Sequence, residues 1–235
     1  MNEKSHYIVI DKKGMLNHRL FYLPINSHIE DATFNKLIAF TSDIKREQIK
    51  HFRFDIDKKL SLYSDLLVRI ILCQKLCINN SCIEFGKDKY GKPFLIGNRH
   101  FSYNISHTRS AIAVAISDGP VGIDIEKVEN AEFRIVDRFF TEKEKNYIYT
   151  NQQEKDKHFY EVWTKKEAYI KYIGKGLAIP LNSFDVFDTE ISNRICTFEI
   201  DDYIISRCNE QPYQEDDVFK MTENELETMA FSLLA

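Results

Sequence analysis

This sequence predicts an α+β fold of two similar halves, on three observations. A helix, a Gly-Lys turn and a series of strand-like runs occur in that order twice along the chain. Between the two copies lies a short unbroken apolar run, Ala111 to Ile116, that ends on the turn signal Asp118-Gly119. No low-complexity linker divides the 235 residues, and 43% hydrophobic with 29% charged is ordinary globular composition. The halves are placed at 1–118 and 119–235, and a cleft between packed halves is a common place for a ligand.

The first half opens its periodic pattern with a helix from about Asp43 to Phe54. Arg46, Lys50 and Arg53 share one solvated face, while Lys45 falls beside Ile49 and Phe52. A second helix runs from about Lys59 to Leu76, with Leu62, Leu66, Ile70 and Cys73 at three- and four-residue spacing. Gly91-Lys92-Pro93 turns the chain, and Phe101 to Ile105 reads as a strand feeding Ser106-His107. The run Ala111–Ile116 suits a buried strand, and Pro120 opens the next one, where proline is tolerated. A hairpin results, with Asp124 and Glu126 on its second strand.

In the second half, Thr141-x-x-Glu144 is a capping box that starts a helix, and Thr222-x-x-Glu225 is another. A long helix covers about His158 to Ile173. Strand-like runs follow at Phe184–Phe187, Ile195–Ile200 and Tyr203–Ser206, and Leu226 to Leu234 reads as an amphipathic terminal helix.

Composition narrows the function. The formal charge of −4 gives no global electrostatic case for nucleic-acid binding, so any phosphate site must be a local cluster. Cys73, Cys77, Cys82, Cys196 and Cys208 form no C-x-x-C pair, and an odd count fits no disulfide framework; free thiols in a reducing cytosol are expected. The polar N-terminus lacks a signal-peptide core, and apolar runs such as Ile70–Cys73 fall far short of a membrane span. The expectation is a soluble cytoplasmic protein.

Two segments carry the chemistry. In Val121-Gly122-Ile123-Asp124-Ile125-Glu126, strand alternation points the β-branched residues one way and Gly122, Asp124 and Glu126 the other. Two acids at i and i+2 repel unless a cation lies between them, and Mg²⁺ favours such oxygens. A solvated strand edge explains the same pattern. In Trp163-Thr164-Lys165-Lys166-Glu167-Ala168-Tyr169-Ile170-Lys171, Lys166 interrupts an apolar stripe, Glu167 borders it and Lys171 follows one turn later. A surface ion pair and a snorkelling lysine account for these separately. Glu167 as a third metal ligand, with the lysines on phosphate, accounts for them together.

These segments resemble the paired signature of the 4′-phosphopantetheinyl transferases. Asn104-Ile105-Ser106-His107 and Tyr90-Gly91-Lys92-Pro93 match the family's upstream blocks, in the order of its larger, monomeric subtype. The resemblance runs from about Thr41 to Phe187. It implies a pseudo-dimer with coenzyme A and Mg²⁺ in the cleft between halves, and a carrier protein as acceptor. By that resemblance Asp124, Glu126 and Glu167 hold Mg²⁺ on the diphosphate. Lys171 contacts the diphosphate and Lys166 assists. Ser106 and His107 contact the 3′-phosphorylated ADP portion, Lys92 and Pro93 border the adenine, and Lys45 approaches the 3′-phosphate. Glu167 is the base for the carrier serine, directly or through a metal-bound water.

Two positions depart from the family pattern. Gln48 and Leu60 stand where 3′-phosphate-binding lysine and arginine are expected, with Lys58 and Lys59 as the neighbouring candidates to replace them. Glu144 matches a family acid, and its capping role explains it equally well. The segment Val128 to Phe140 is either a carrier contact surface, with Arg134 and Arg138 facing carrier acids, or core packing. Two rivals remain open: a non-catalytic module that binds coenzyme A or carrier protein, and a Mg²⁺-dependent phosphodiesterase.

Overall fold

The computed structural model describes residues 19–26, 28–98, 100–210 and 218–235. Its strands are β1 (Leu20–Pro24), β2 (Phe85–Lys87), β3 (Pro93–Leu95), β4 (Ser102–His107), β5 (Ala111–Ser117), β6 (Val121–Lys127), β7 (Ile195–Ile200), β8 (Tyr203–Asn209) and β9 (Val218–Lys220). Its helices are α1 (Asp31–Leu37), α2 (Asp43–Lys50), α3 (Asp55–Leu76), α4 (Val136–Phe139), α5 (Glu142–Tyr149), α6 (Lys155–Ile173), α7 (Thr189–Ser192) and α8 (Glu223–Leu233). The α+β class holds, and both capping boxes form, at Thr141 on α5 and at Thr222 on α8. Among the described residues no helix is long and apolar enough to cross a membrane.

Four layers stack because the facing sides of the two sheets are apolar and each outer side carries a helix. The first sheet has the order β4-β5-β1-β9 and the second β6-β8-β7. On one face of the first sheet, Phe21, Leu23, Ile112 and Val114 pack against the apolar side of α3. On its other face the small residues Ala111, Ala113 and Ala115 let the second sheet approach, and Val121, Ile123 and Ile125 fill the space between. Helix α6 covers the far side of the second sheet, so each sheet carries one long helix on its outer face.

The expected hairpin at Asp118–Pro120 does not form. β5 is a central strand whose two edges are taken by β4 and β1, so β6 has no edge of it to join. The chain changes sheets there, and β6 pairs with β8, Asp124 opposite Ser206. The run Phe184–Phe187 is bend and turn rather than strand. Its polar backbone groups bond side chains instead, Phe184 O accepting from Lys166 and Val186 N donating to Glu144. The C-terminal stretch, expected with the second half, crosses back to the first. β9 pairs in parallel with β1, and Met221, Leu226 and Met229 enter the core over α3.

Gly122 sets the distance between β6 and α6. A Cβ there would lie 2.0 Å from Ala168 O and 2.3 Å from Tyr172 N, so the helix backbone rests directly on the strand. Gly122→Ala must therefore push α6 off the sheet. Neither contacting atom belongs to a side chain that can turn aside, so the expected loss is at the upper end of overpacking costs, about 3 kcal/mol. Urea unfolding measures it; a midpoint unchanged from the parent protein rules the close approach out.

Candidate active site

The close strand–helix contact brings three acids and a lysine onto one surface. Asp124 and Glu126 sit two residues apart on β6 and so face the same way, toward α6. Glu167 and Lys171 lie one helical turn apart on α6. Ser106 comes from the end of β4, which runs beside β6 and is tied to it where Asn104 Oδ1 accepts from Ile123 N at 2.8 Å.

Asp124 is the centre of this group and is 4% exposed. Its Oδ1 accepts from Lys171 Nζ at 2.7 Å and from Ser106 Oγ at 2.9 Å, and Lys171 Nζ reaches Ser106 Oγ at 3.0 Å. Its Oδ2 is buried with no hydrogen-bond partner. An orphaned carboxylate oxygen is costly, and it marks a place where a cation fits.

The electrostatics agree. Burial, then repulsion from Asp124, pushes Glu126 up to about 7, although the Trp163 indole N–H and Lys171 pull the other way. Burial, again followed by Asp124, raises Glu167 above the usual carboxylate range. Burial raises Asp124 itself, and Lys171 and Ser106 offset only part of that. Three carboxylates that disfavour one another's charge, all hard oxygen donors, suit a divalent cation such as Mg²⁺. Among the described residues no three Asp, Glu, His or Cys side chains are grouped so as to hold a metal ion as they stand. The Lys171 ammonium is the cation on Asp124 here.

His107 follows Ser106 at the end of β4. Desolvation lowers its pKa, and the charges of Lys171 and Lys45 lower it further, opposed by a backbone hydrogen bond with Thr108 and by Asp57. Lys45 and Pro93 both line a cavity of about 500 Å³ beside α2, with Val68, Tyr103 and Ile105 among its apolar walls.

Other expected site residues lie elsewhere. Lys166 is fully buried and cannot assist at phosphate. Its ammonium contacts Glu144 Oε2 at 2.8 Å and donates to Leu181 O at 2.7 Å and Phe184 O at 2.9 Å. Glu144 is equally buried and also completes the α5 capping box, so its role is structural. The Lys92 ammonium is taken up by two backbone carbonyls. It donates to Val121 O at 3.0 Å and to Lys171 O, clamping the start of β6 to the last turn of α6.

Leu60 is 3% exposed inside the core over α3, so it faces no phosphate; an arginine there would be buried. Lys59 is no substitute, because it pairs with Glu223 at 2.8 Å and donates to Asn26 O and His28 O. Lys58 is held by Asp55 at 2.8 Å. In the segment Val128–Phe140, Val136 and Phe140 are core, Phe133, Ile135 and Phe139 pack against it, and Arg134 and Arg138 are exposed.

The sequence did not single out Gly122 as the contact point, Lys92 as a clamp, or Ser64, Asp65 and Lys87 as cavity wall. A glycine within an otherwise β-branched strand was the available signal for the first. The wall residues come from two separate elements, α3 and β2, and carry no local pattern.

Comparison with known proteins gives the family. A family model described as the 4′-phosphopantetheinyl transferase superfamily matches residues 120–219. A second, described as 4′-phosphopantetheinyl transferase, N-terminal, matches residues 28–118. The 4′-phosphopantetheinyl transferase gsp of Aneurinibacillus migulanus is 39% identical over 166 residues, covering 70% of this chain and 69% of that protein. The 4′-phosphopantetheinyl transferase Sfp of Bacillus subtilis (strain 168) is 32% identical over 205 residues, covering 81% and 92%. The L-aminoadipate-semialdehyde dehydrogenase-phosphopantetheinyl transferase of Xenopus laevis is 35% identical over 156 residues, covering 60% and 52%. With one model matching the stretch that carries Asp124, Glu126, Glu167 and Lys171 and the other the stretch that carries Ser106, this chain belongs to the 4′-phosphopantetheinyl transferase superfamily.

Proposed function

We propose that this chain transfers the 4′-phosphopantetheine arm of coenzyme A to a serine of an acyl, peptidyl or aryl carrier protein, with Mg²⁺ as cofactor. The observation that carries the reading is the buried Asp124, its Oδ2 without a partner, beside Glu126, Glu167 and a lysine. In this reading Asp124, Glu126 and Glu167 hold the metal, which when bound neutralises charge on the diphosphate.

The chain's own groups do the rest. The serine oxygen bonds to the phosphorus that carries the pantetheine arm. The bond from that phosphorus to the bridging oxygen breaks, and the electron pair leaves with adenosine 3′,5′-bisphosphate. The serine proton passes to Glu167, whose raised proton affinity suits a base, directly or through water. Lys171, whose side chain is 28% exposed, has room to move from Asp124 to the leaving phosphate and stabilise its charge. In this reading Ser106, bonded to Asp124 and Lys171, and its neighbour His107 contact the 3′-phosphorylated ADP portion, and the cavity lined by Lys45 and Pro93 takes the nucleotide. Docking of the carrier orients the serine, with Arg134 and Arg138 as the exposed cations for its acidic face.

One chain holds both halves of the cleft, so it acts as a monomer. Free cysteines and a coenzyme A substrate fit the cytoplasm.

Incubation with coenzyme A, Mg²⁺ and an apo carrier tests the reading. The expected result is a mass gain on the carrier serine that a chelator abolishes and Mg²⁺ restores. Adenosine bisphosphate released without carrier means a phosphodiesterase instead. Coenzyme A binding with neither product means a binding module.

A further inference from the structure

We infer that Lys92 is a positioning residue for the transfer step: from a turn of the first half it fixes the register of α6 on β6, and through that the place of the Lys171 ammonium beside Asp124. The inference rests on the transferase reading and goes beyond it, because the family resemblance gives Lys92 an adenine to border and no part in the chemistry.

The turn that carries Lys92 is firmly tied. Asp88 Oδ1 accepts from Tyr90 N at 2.8 Å and from Lys92 N at 2.9 Å. Asp88 N donates to Lys92 O, and Gly91 N to Asp88 O, each at 3.0 Å. Gly91 supplies the positive φ of +86° that this turn needs. Lys92 therefore starts from a fixed base, and its side chain runs past Gly174, where a Cβ would lie 3.4 Å from Lys92 Cδ. Its ammonium ends on Val121 O at 3.0 Å and on Lys171 O, both in the second half. Burial works against that charge, with Asp88 opposing, so a desolvated ammonium is held on two neutral carbonyls.

Two contacts thus set α6 on β6, and they do different things. The bare Cα of Gly122 against Ala168 O and Tyr172 N fixes how close the helix and strand lie. It does not fix where along the strand the helix sits. Hydrogen bonds do, because they weaken steeply as their angle falls away. Lys92 bonds the residue before Gly122 and Lys171 itself, whose Nζ lies 2.7 Å from Asp124 Oδ1 and 3.0 Å from Ser106 Oγ. The clamped carbonyl and the ammonium that meets the leaving phosphate belong to one residue. A displacement of about 1 Å there is enough to slow such a step on the order of 10²-fold.

Lys92→Met keeps the stem beside Gly174 and removes both bonds. At saturating coenzyme A and apo carrier, kcat for loading should fall about tenfold, while the calorimetric Kd for coenzyme A stays within about twofold. Thr222→Ala is the control. It opens the capping box of α8, in the core over α3, so its unfolding midpoint should fall while kcat stays within about twofold of the parent. Coenzyme A bound more weakly than that by Lys92→Met makes Lys92 a nucleotide contact and overturns the inference. Failure of Lys92→Met to fold, or an unchanged kcat in the folded chain whatever the midpoint does, makes Lys92 a strut and overturns it too. So does an equal loss of kcat in Thr222→Ala. All of these leave the transferase reading standing, because the parent chain still loads carrier serine. A parent chain that loads none removes both.

Discussion

Asp124→Asn should lower carrier loading by on the order of 10³-fold, and raising Mg²⁺ should not restore it. Asparagine keeps the shape and can still meet Ser106 Oγ, but it removes the charge that Lys171 now neutralises. Lys171 is partly exposed and can turn to water, so the expected loss of stability is modest, about 1–3 kcal/mol. That separates chemistry from folding: the variant should unfold cooperatively and keep its secondary structure while the rate collapses. The carrier-loading rate and a thermal unfolding curve, measured side by side, decide it. Transfer within tenfold of the parent would remove Asp124 from the proposed metal site, and from the centre of the mechanism with it.

That cluster was legible in the sequence because both of its parts are local. Asp124 and Glu126 follow from period two on a strand, and Glu167 and Lys171 from one turn of a helix. Sequence could not say that the strand and helix touch; the structure supplies that through Gly122. The two capping boxes were legible for the same reason, each spanning four residues of chain. What failed were pairings over distance. Asp118-Gly119-Pro120 is a good hairpin signal, yet both edges of β5 are taken, one by β4 just before it in the chain and the other by the distant β1, facts of topology rather than of turn chemistry. The return of β9 and α8 to the first half, with Met221 and Leu226 in its core, carries no local mark either.

Lys166 shows the same limit in a single residue, and its removal carries the largest expected stability effect. A lysine inside an apolar stripe has two solutions, reaching solvent or finding a buried partner. Its partner, Glu144, comes from another helix, and both are 0% exposed. Glu144 also accepts from Thr141 N and Val186 N, each at 2.9 Å, so one buried pair ties α5, α6 and the 181–186 loop together. Burial alone works against both charges, lowering Lys166 and raising Glu144, so either is tolerated only with the other present. Lys166→Met should therefore cost about 3–5 kcal/mol by stranding Glu144 and the carbonyls of Leu181 and Phe184. Adding Glu144→Gln should cost less than the sum of the single changes, with a coupling of roughly 1–3 kcal/mol. Because Lys166 precedes Glu167 on α6, activity should fall with stability rather than ahead of it. A contact with coenzyme A predicts the reverse: Lys166→Met would weaken coenzyme A binding and leave the unfolding midpoint where it was. The two measurements on one variant thus separate a buried strut from a phosphate ligand.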